Sequence, residues 1–96
     1  PQIKQPESFA NQGQYVPDAL TLKVTQTDDS IIFQWQPALN KPSKFVIIEQ
    51  ANGFEVLNSN INANARRITL SNDKLPTGKL IWYIEGFAAR DSFEVK

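Results

Sequence analysis

The sequence contains no cysteine and no histidine. Thiol nucleophiles, thiolate- or imidazole-held zinc and imidazole acid–base chemistry are thereby excluded. Disulfide staples are excluded too, so stability has to come from packing, and the compartment is left open. Neither sign of charge is in excess, since ten Lys and Arg face ten Asp and Glu. A nucleic-acid binder needs a cationic surplus to displace counterions, and a membrane-surface patch needs a basic cluster. Both partner classes are disfavoured. No apolar run approaches the ~20 residues of a membrane span, and no signal peptide is visible. There is no methionine, the initiator included, and the chain opens on Pro1, so it reads as a piece excised from a longer protein. No Asn-x-Ser/Thr sequon occurs. With His, Cys and sequons all missing, a bacterial extracytoplasmic origin is favoured over an animal one.

What remains is an ordinary globular composition, 41% hydrophobic and 21% charged over 96 residues, enough for one domain. Residues 1–18 carry three prolines, four glutamines and a glycine, which predicts a linker or extended edge segment. Its apolar residues Ile3, Phe9, Tyr15 and Val16 have no helical spacing but could anchor on the domain. From Ala19 the period changes to two. Leu20, Leu22 and Val24 alternate with Thr21, Lys23 and Thr25, and Ile31, Phe33 and Trp35 repeat the pattern after a Thr27–Ser30 turn. Phe45–Ile48 is a β-branched run, and Asn52–Gly53 signals a tight turn into a short strand at Phe54–Leu57. Asparagines at 58, 60, 62 and 64 read as a polar loop or weak edge strand. Ile68 and Leu70 alternate again, a Leu75–Gly78 turn precedes the longest strand at Lys79–Ala88, and Ser92–Lys96 closes the chain. About seven short strands at such spacing predict an all-β, two-sheet antiparallel sandwich over 19–96.

These residues resemble a known family. Ile31-x-Phe33-x-Trp35-x-Pro37 is similar to the second strand of fibronectin type III domains, and Phe45-x-Ile47 to the third. Leu75-Pro76-Thr77-Gly78 followed by Leu80-x-Trp82-x-Ile84-x-Gly86 resembles the turn and sixth strand. A tryptophan inside that strand resembles bacterial extracytoplasmic members, which often stand beside a transmembrane helix. Phe93 and Val95 would be the inward residues of the seventh strand. The resemblance implies strands one, two and five packed against three, four, six and seven. One departure is Leu80, which stands where the family usually opens the sixth strand with a corner-forming tyrosine.

Carboxylates are the remaining acid–base groups. Asp28 and Asp29 lie in a turn, and Asp91, Glu85 and Glu94 are scattered around a bend. A hydrolytic pair has to face across a cleft with one pKa raised, and solvated turn aspartates meet neither condition. No catalytic residue is expected. Calcium needs six to eight oxygen ligands, and loop solubility explains both the Asp pair and the asparagine run. No metal or cofactor is expected either. Trp35 and Trp82 could form a sugar-stacking platform, yet the period of two puts both inside. Ala89-Arg90-Asp91 lacks the glycine of an integrin-binding motif.

The expected function is a non-catalytic protein-interaction or spacer module. A carbohydrate-binding module and an accessory domain of a larger enzyme are the alternatives. The sharpest clue is an apolar excess on the outward face. If Leu80, Trp82 and Ile84 point in, then Ile81, Tyr83 and Phe87 lie outside; if Phe45 and Ile47 point in, Val46 and Ile48 lie outside. On neighbouring strands these five would make one protein-docking patch, serving a partner, a neighbouring domain or self-association. Alternatively, residues 1–18 would fold back over it.

Overall fold

A computed structural model describes residues 20–96 of the chain. The linker expected at 1–18, with Ile3, Phe9 and Tyr15, lies outside the described residues. The strands follow the alternation closely. In β1 (Thr21–Gln26) Leu22 and Val24 are half-buried while Thr21, Lys23 and Thr25 face solvent. β2 (Ser30–Gln36) buries Ile31, Phe33 and Trp35 and leaves Ile32 and Gln34 on the other side. Then come β3 (Ser43–Glu49), β4 (Glu55–Ile61), β5 (Arg67–Ser71), β6 (Gly78–Ile84) and β7 (Arg90–Val95). One 3-10 turn, Asn72–Lys74, links β5 to β6.

All five strand pairings among the described residues are antiparallel, and they build two sheets. The order is β1-β2-β5 in the three-stranded sheet and β4-β3-β6-β7 in the four-stranded one. This is an all-β sandwich with the expected division of strands.

The two inner faces close on a cluster of aromatic rings. Phe33 stands at its centre, edge-on to Phe45, Trp82 and Phe93 with ring centroids 5.1, 5.2 and 5.2 Å away. Trp35 stacks on Phe45, and its indole N–H donates to the Ala65 carbonyl at 3.0 Å. Ring pairs in this geometry add about 0.5–1.5 kcal/mol beyond the area they bury. Ile31, Ile47, Leu80, Ile84 and Val95 fill in around them, and Leu20, Leu22, Val24, Ile68 and Leu70 pack at the margin. Leu39, Ile61 and Leu75 also join the core, from loops and a strand end where no alternation announces them.

The turns depend on side chains. Thr27 closes the β1–β2 hairpin, its hydroxyl accepting from Ser30 N–H at 3.0 Å. Asn72 ties that hairpin to the end of β5 through its Nδ2, which donates to the Asp28 carbonyl at 2.9 Å. Between β3 and β4, Gly53 takes φ 76°, a left-handed conformation that glycine adopts without strain. Asn52 Oδ1 there accepts from Phe54 N–H at 2.8 Å.

Several boundaries differ from expectation. β6 stops at Ile84 rather than Ala88, because Phe87 N–H bonds back to the Ile84 carbonyl across Gly86 at φ 94°. The asparagine stretch divides: β4 runs on through Asn58 and Asn60 to Ile61, and only the following residues form a loop. Asn62 turns that loop, its Oδ1 accepting from Asn64 N–H at 3.0 Å. Finally, β7 begins at Arg90, two positions earlier than the expected Ser92.

Candidate functional site

Outward-facing positions of the four-stranded sheet follow from its register. Phe45, Ile47, Leu80, Trp82 and Ile84 are buried in the core, so the residues between them face out. Val46 stands directly opposite Tyr83, and Ile48 opposite Ile81. Four of the five expected patch residues are thereby brought together on adjacent strands. Val46 is the most enclosed of them at 2% exposure, although it belongs to no part of the inner cluster. It is flanked across the sheet by Asn58 on one side and Tyr83 on the other. Ile48, Ile81 and Tyr83 are half-buried.

Phe87 is not with them. The turn at Gly86 takes it out of the strand's alternation, and its ring packs against the core. Its separation has a local cause. Period-two counting holds only while the backbone stays extended, and the chain bends before reaching Phe87.

Arg90 enters the patch instead. It pairs with Tyr83 across β6 and β7, and its guanidinium carbon lies 4.0 Å from the Tyr83 ring centroid. A cation over an aromatic face is attracted by the ring quadrupole. The patch is therefore apolar in the middle and flanked by a cation at one side. Ser92, opposite Ile81, continues that polar margin on β7.

A second feature escaped the alternation argument. Phe54, expected inside a short strand, sits just before β4 and is 69% exposed, the one large hydrophobic exposed among the described residues. It lies at the β3–β4 turn, where strand parity carries no information. Trp35 and Trp82, by contrast, are 3% and 0% exposed, so neither indole offers a face to a sugar. Asp28 and Asp29 are both exposed in the β1–β2 turn. Among the described residues no three His, Cys, Asp or Glu side chains gather where they could hold a metal ion. No helix among them is long and apolar enough to cross a membrane.

The outer face of the three-stranded sheet has a different character. A shallow cleft there is lined by Thr21, Lys23, Gln34, Trp35, Gln36 and Arg66. Its lining is polar and cationic, and no carboxylate contributes to it.

No protein-family model and no curated protein matches the chain.

Proposed function

We propose that the domain is a fibronectin type III-like, non-catalytic protein-interaction or spacer module from the extracytoplasmic part of a membrane-anchored or secreted bacterial protein. Its contact surface is the outer face of the four-stranded sheet, where Ile48, Ile81 and Tyr83 stay partly open around the buried Val46. The observation that carries this reading is the register, which sets Val46 against Tyr83 and Ile48 against Ile81 in one contiguous apolar block. Isolated apolar residues on a surface need no explanation, whereas a joined block usually marks a contact. The division of strands into one, two and five against three, four, six and seven supports the family reading. The extracytoplasmic and bacterial assignments rest on the resemblance and on the missing His, Cys and sequons.

Photo-crosslinking in the full-length protein, in its native cell, tests the surface. A benzophenone side chain at position 48 or 81 should give adducts whose partner peptide mass spectrometry identifies. One at Thr69, on the outer face of the other sheet, should give none. Equal yields from the two sheets, or no adduct from positions 48 and 81, would remove the support for this surface.

A further inference from the structure

Asn52, in the turn between β3 and β4, is the one asparagine of the sequence that glycine follows. Every other asparagine precedes a residue with a side chain. That difference is chemical. An asparagine can be attacked at Cγ by the main-chain nitrogen of the next residue, and a Cβ on that residue crowds the approach. Glycine removes the obstacle. No atom beyond its chain neighbours lies within 4 Å of where a Cβ would stand on Gly53. Both residues are exposed, so water and base reach the amide.

The turn also holds the group that is attacked. Asn52 Oδ1 accepts from Phe54 N–H at 2.8 Å. A donor on a carbonyl oxygen polarises its carbon and stabilises the charge that attack places on the oxygen. One bond opposes the reaction. Gly53 N–H donates to the Glu49 carbonyl at 2.8 Å and has to be released first. It lies at an exposed hairpin end, where local opening costs little. Asn62 is the natural comparison within the same chain. It too is exposed, and its Oδ1 accepts from Asn64 N–H at 3.0 Å, but Ala63 follows it.

We propose that Asn52 deamidates spontaneously in the folded domain because glycine follows it. The main-chain nitrogen of Gly53 loses its proton to solvent base and bonds to Asn52 Cγ, closing a five-membered succinimide. The Cγ–Nδ2 bond breaks, and Nδ2 leaves as ammonia after taking a proton from water. Water then opens the ring at either carbonyl. Breaking the bond between Gly53 N and Cγ gives aspartate, and breaking the bond to the Asn52 main-chain carbon gives isoaspartate. Either product replaces a neutral amide by a carboxylate. Isoaspartate also inserts Cβ into the main chain, which upsets the two bonds closing the turn, Gly53 N–H to Glu49 and Glu49 N–H to the Phe54 carbonyl. The pair next to the turn is Glu55 with Ile48, so the change falls beside the apolar outer face. The chemistry does not rest on that face being a contact surface.

The test incubates the folded full chain at mildly alkaline pH and follows its peptides by mass spectrometry. Replacement of the amide by a carboxylate adds one mass unit, and electron-transfer fragmentation separates isoaspartate from aspartate. Asn52 should convert severalfold faster than Asn62, to both products. Gly53→Ala should slow Asn52 severalfold, but alanine at φ 76° strains the turn. Ala63→Gly avoids that difficulty, because it leaves the β3–β4 turn intact, and it should speed Asn62 severalfold. An Asn62 that keeps pace with Asn52 in the parent overturns the proposal. So does an Asn52 that stays intact in the folded chain while the same chain in urea converts, or an Asn62 whose rate Ala63→Gly leaves unchanged.

Discussion

Across the three-stranded sheet the outward row Lys23–Gln34–Arg67 is polar from edge to edge. Across the four-stranded sheet the row Asn58–Val46–Tyr83–Arg90 is polar at its ends and apolar in its middle. The next rows differ in degree, Thr25–Ile32–Thr69 on one sheet having one apolar residue and Glu55–Ile48–Ile81–Ser92 on the other having two in succession. Both faces obey the same alternation and enclose the same core, so the core cannot explain the difference. A face that only meets water has no use for two adjacent apolar rows. An apolar centre inside a polar rim is how protein interfaces are organised. The comparison thus separates what folding requires of a sheet, an apolar inner face, from what it leaves free for function.

The contrast depends on the parity of β6, and the largest expected effect tests that parity. Trp82 is fully buried and touches the rings of Phe33, Trp35 and Phe45. Trp82→Ala should lose about 3–5 kcal/mol, the usual range for deleting a large buried aromatic. Tyr83→Ala, one residue along, should lose far less. A register slip of one residue would exchange the two faces and reverse the order. Urea unfolding of both variants gives the answer. Equal losses would mean that inside and outside are not distinguished on this strand.

Much of this was readable in the sequence. Ile31, Phe33, Trp35, Phe45, Ile47, Leu80, Trp82 and Ile84 alternate within strands, and all are buried as the period requires. The strand order that the fibronectin type III resemblance implies makes neighbours of the strands that carry Val46, Ile48, Ile81 and Tyr83, and the register joins these four residues. Loops gave no such signal. Leu39 and Leu75 fold into the core from connections, and Ile61 does so at the end of a strand that its asparagines disguise. The asparagines mislead because polarity alone carries no parity: Asn58 and Asn60 face out while Ile61, in step with Ser59, faces in. Phe87 failed for the reverse reason, an extrapolated parity across a turn that Gly86 makes possible. The Arg90–Tyr83 contact joins strands in sequence order, but nothing local in the chain specifies a guanidinium over a ring.

The second test compares the centres of the two outer faces directly. Val46 and Ile32 are both outward β-branched residues on the central part of a sheet, and their burial differs. Val46 is 2% exposed, whereas Ile32 remains partly open between Thr25 and Thr69. Full burial of such a side chain is worth about 1.5–3 kcal/mol. Val46→Ala should therefore cost about 2 kcal/mol in thermal or urea unfolding, and Ile32→Ala less, even though it removes more carbon. If Ile32→Ala is the costlier change, the four-stranded face is no more enclosed than its counterpart.

Asn72 supplies a test that should leave both outer faces untouched. Its side-chain amide donates to the Asp28 carbonyl, and its main-chain N–H donates to the Asp29 carbonyl at 3.0 Å, fastening the β1–β2 turn to β5. Asn72→Ala removes that side-chain bond, together with a longer one to the Thr27 carbonyl at 3.4 Å, and keeps the main-chain one. A single such bond contributes about 0.5–1.5 kcal/mol net. The loss should fall in that range, with crosslinking from positions 48 and 81 unchanged. A larger loss accompanied by altered crosslinking would couple the hairpin to the distant face, and the two surfaces would no longer count as independent.

The smallest expected effect lies at the rim of the apolar face. Arg90 lies over Tyr83 at 4.0 Å, and a pair of this kind near the surface is worth about 0.5–1 kcal/mol. The pair can act in two ways that a single substitution cannot separate, since Arg90 also shields the ring from water with its apolar stem. A double-mutant cycle separates them. Arg90→Gln keeps most of the stem and removes the charge, while Tyr83→Leu keeps an apolar side chain and removes the ring. If the attraction is electrostatic, the coupling between the two substitutions should be about 0.5 kcal/mol or more. If the cycle closes to zero, Arg90 covers Tyr83 without interacting with it, and the polar rim is only solvation. In the first case the rim holds Tyr83 in a fixed orientation before any partner arrives, which lowers the ordering cost of binding. That would make the four-stranded face different from the three-stranded one in rigidity as well as in composition.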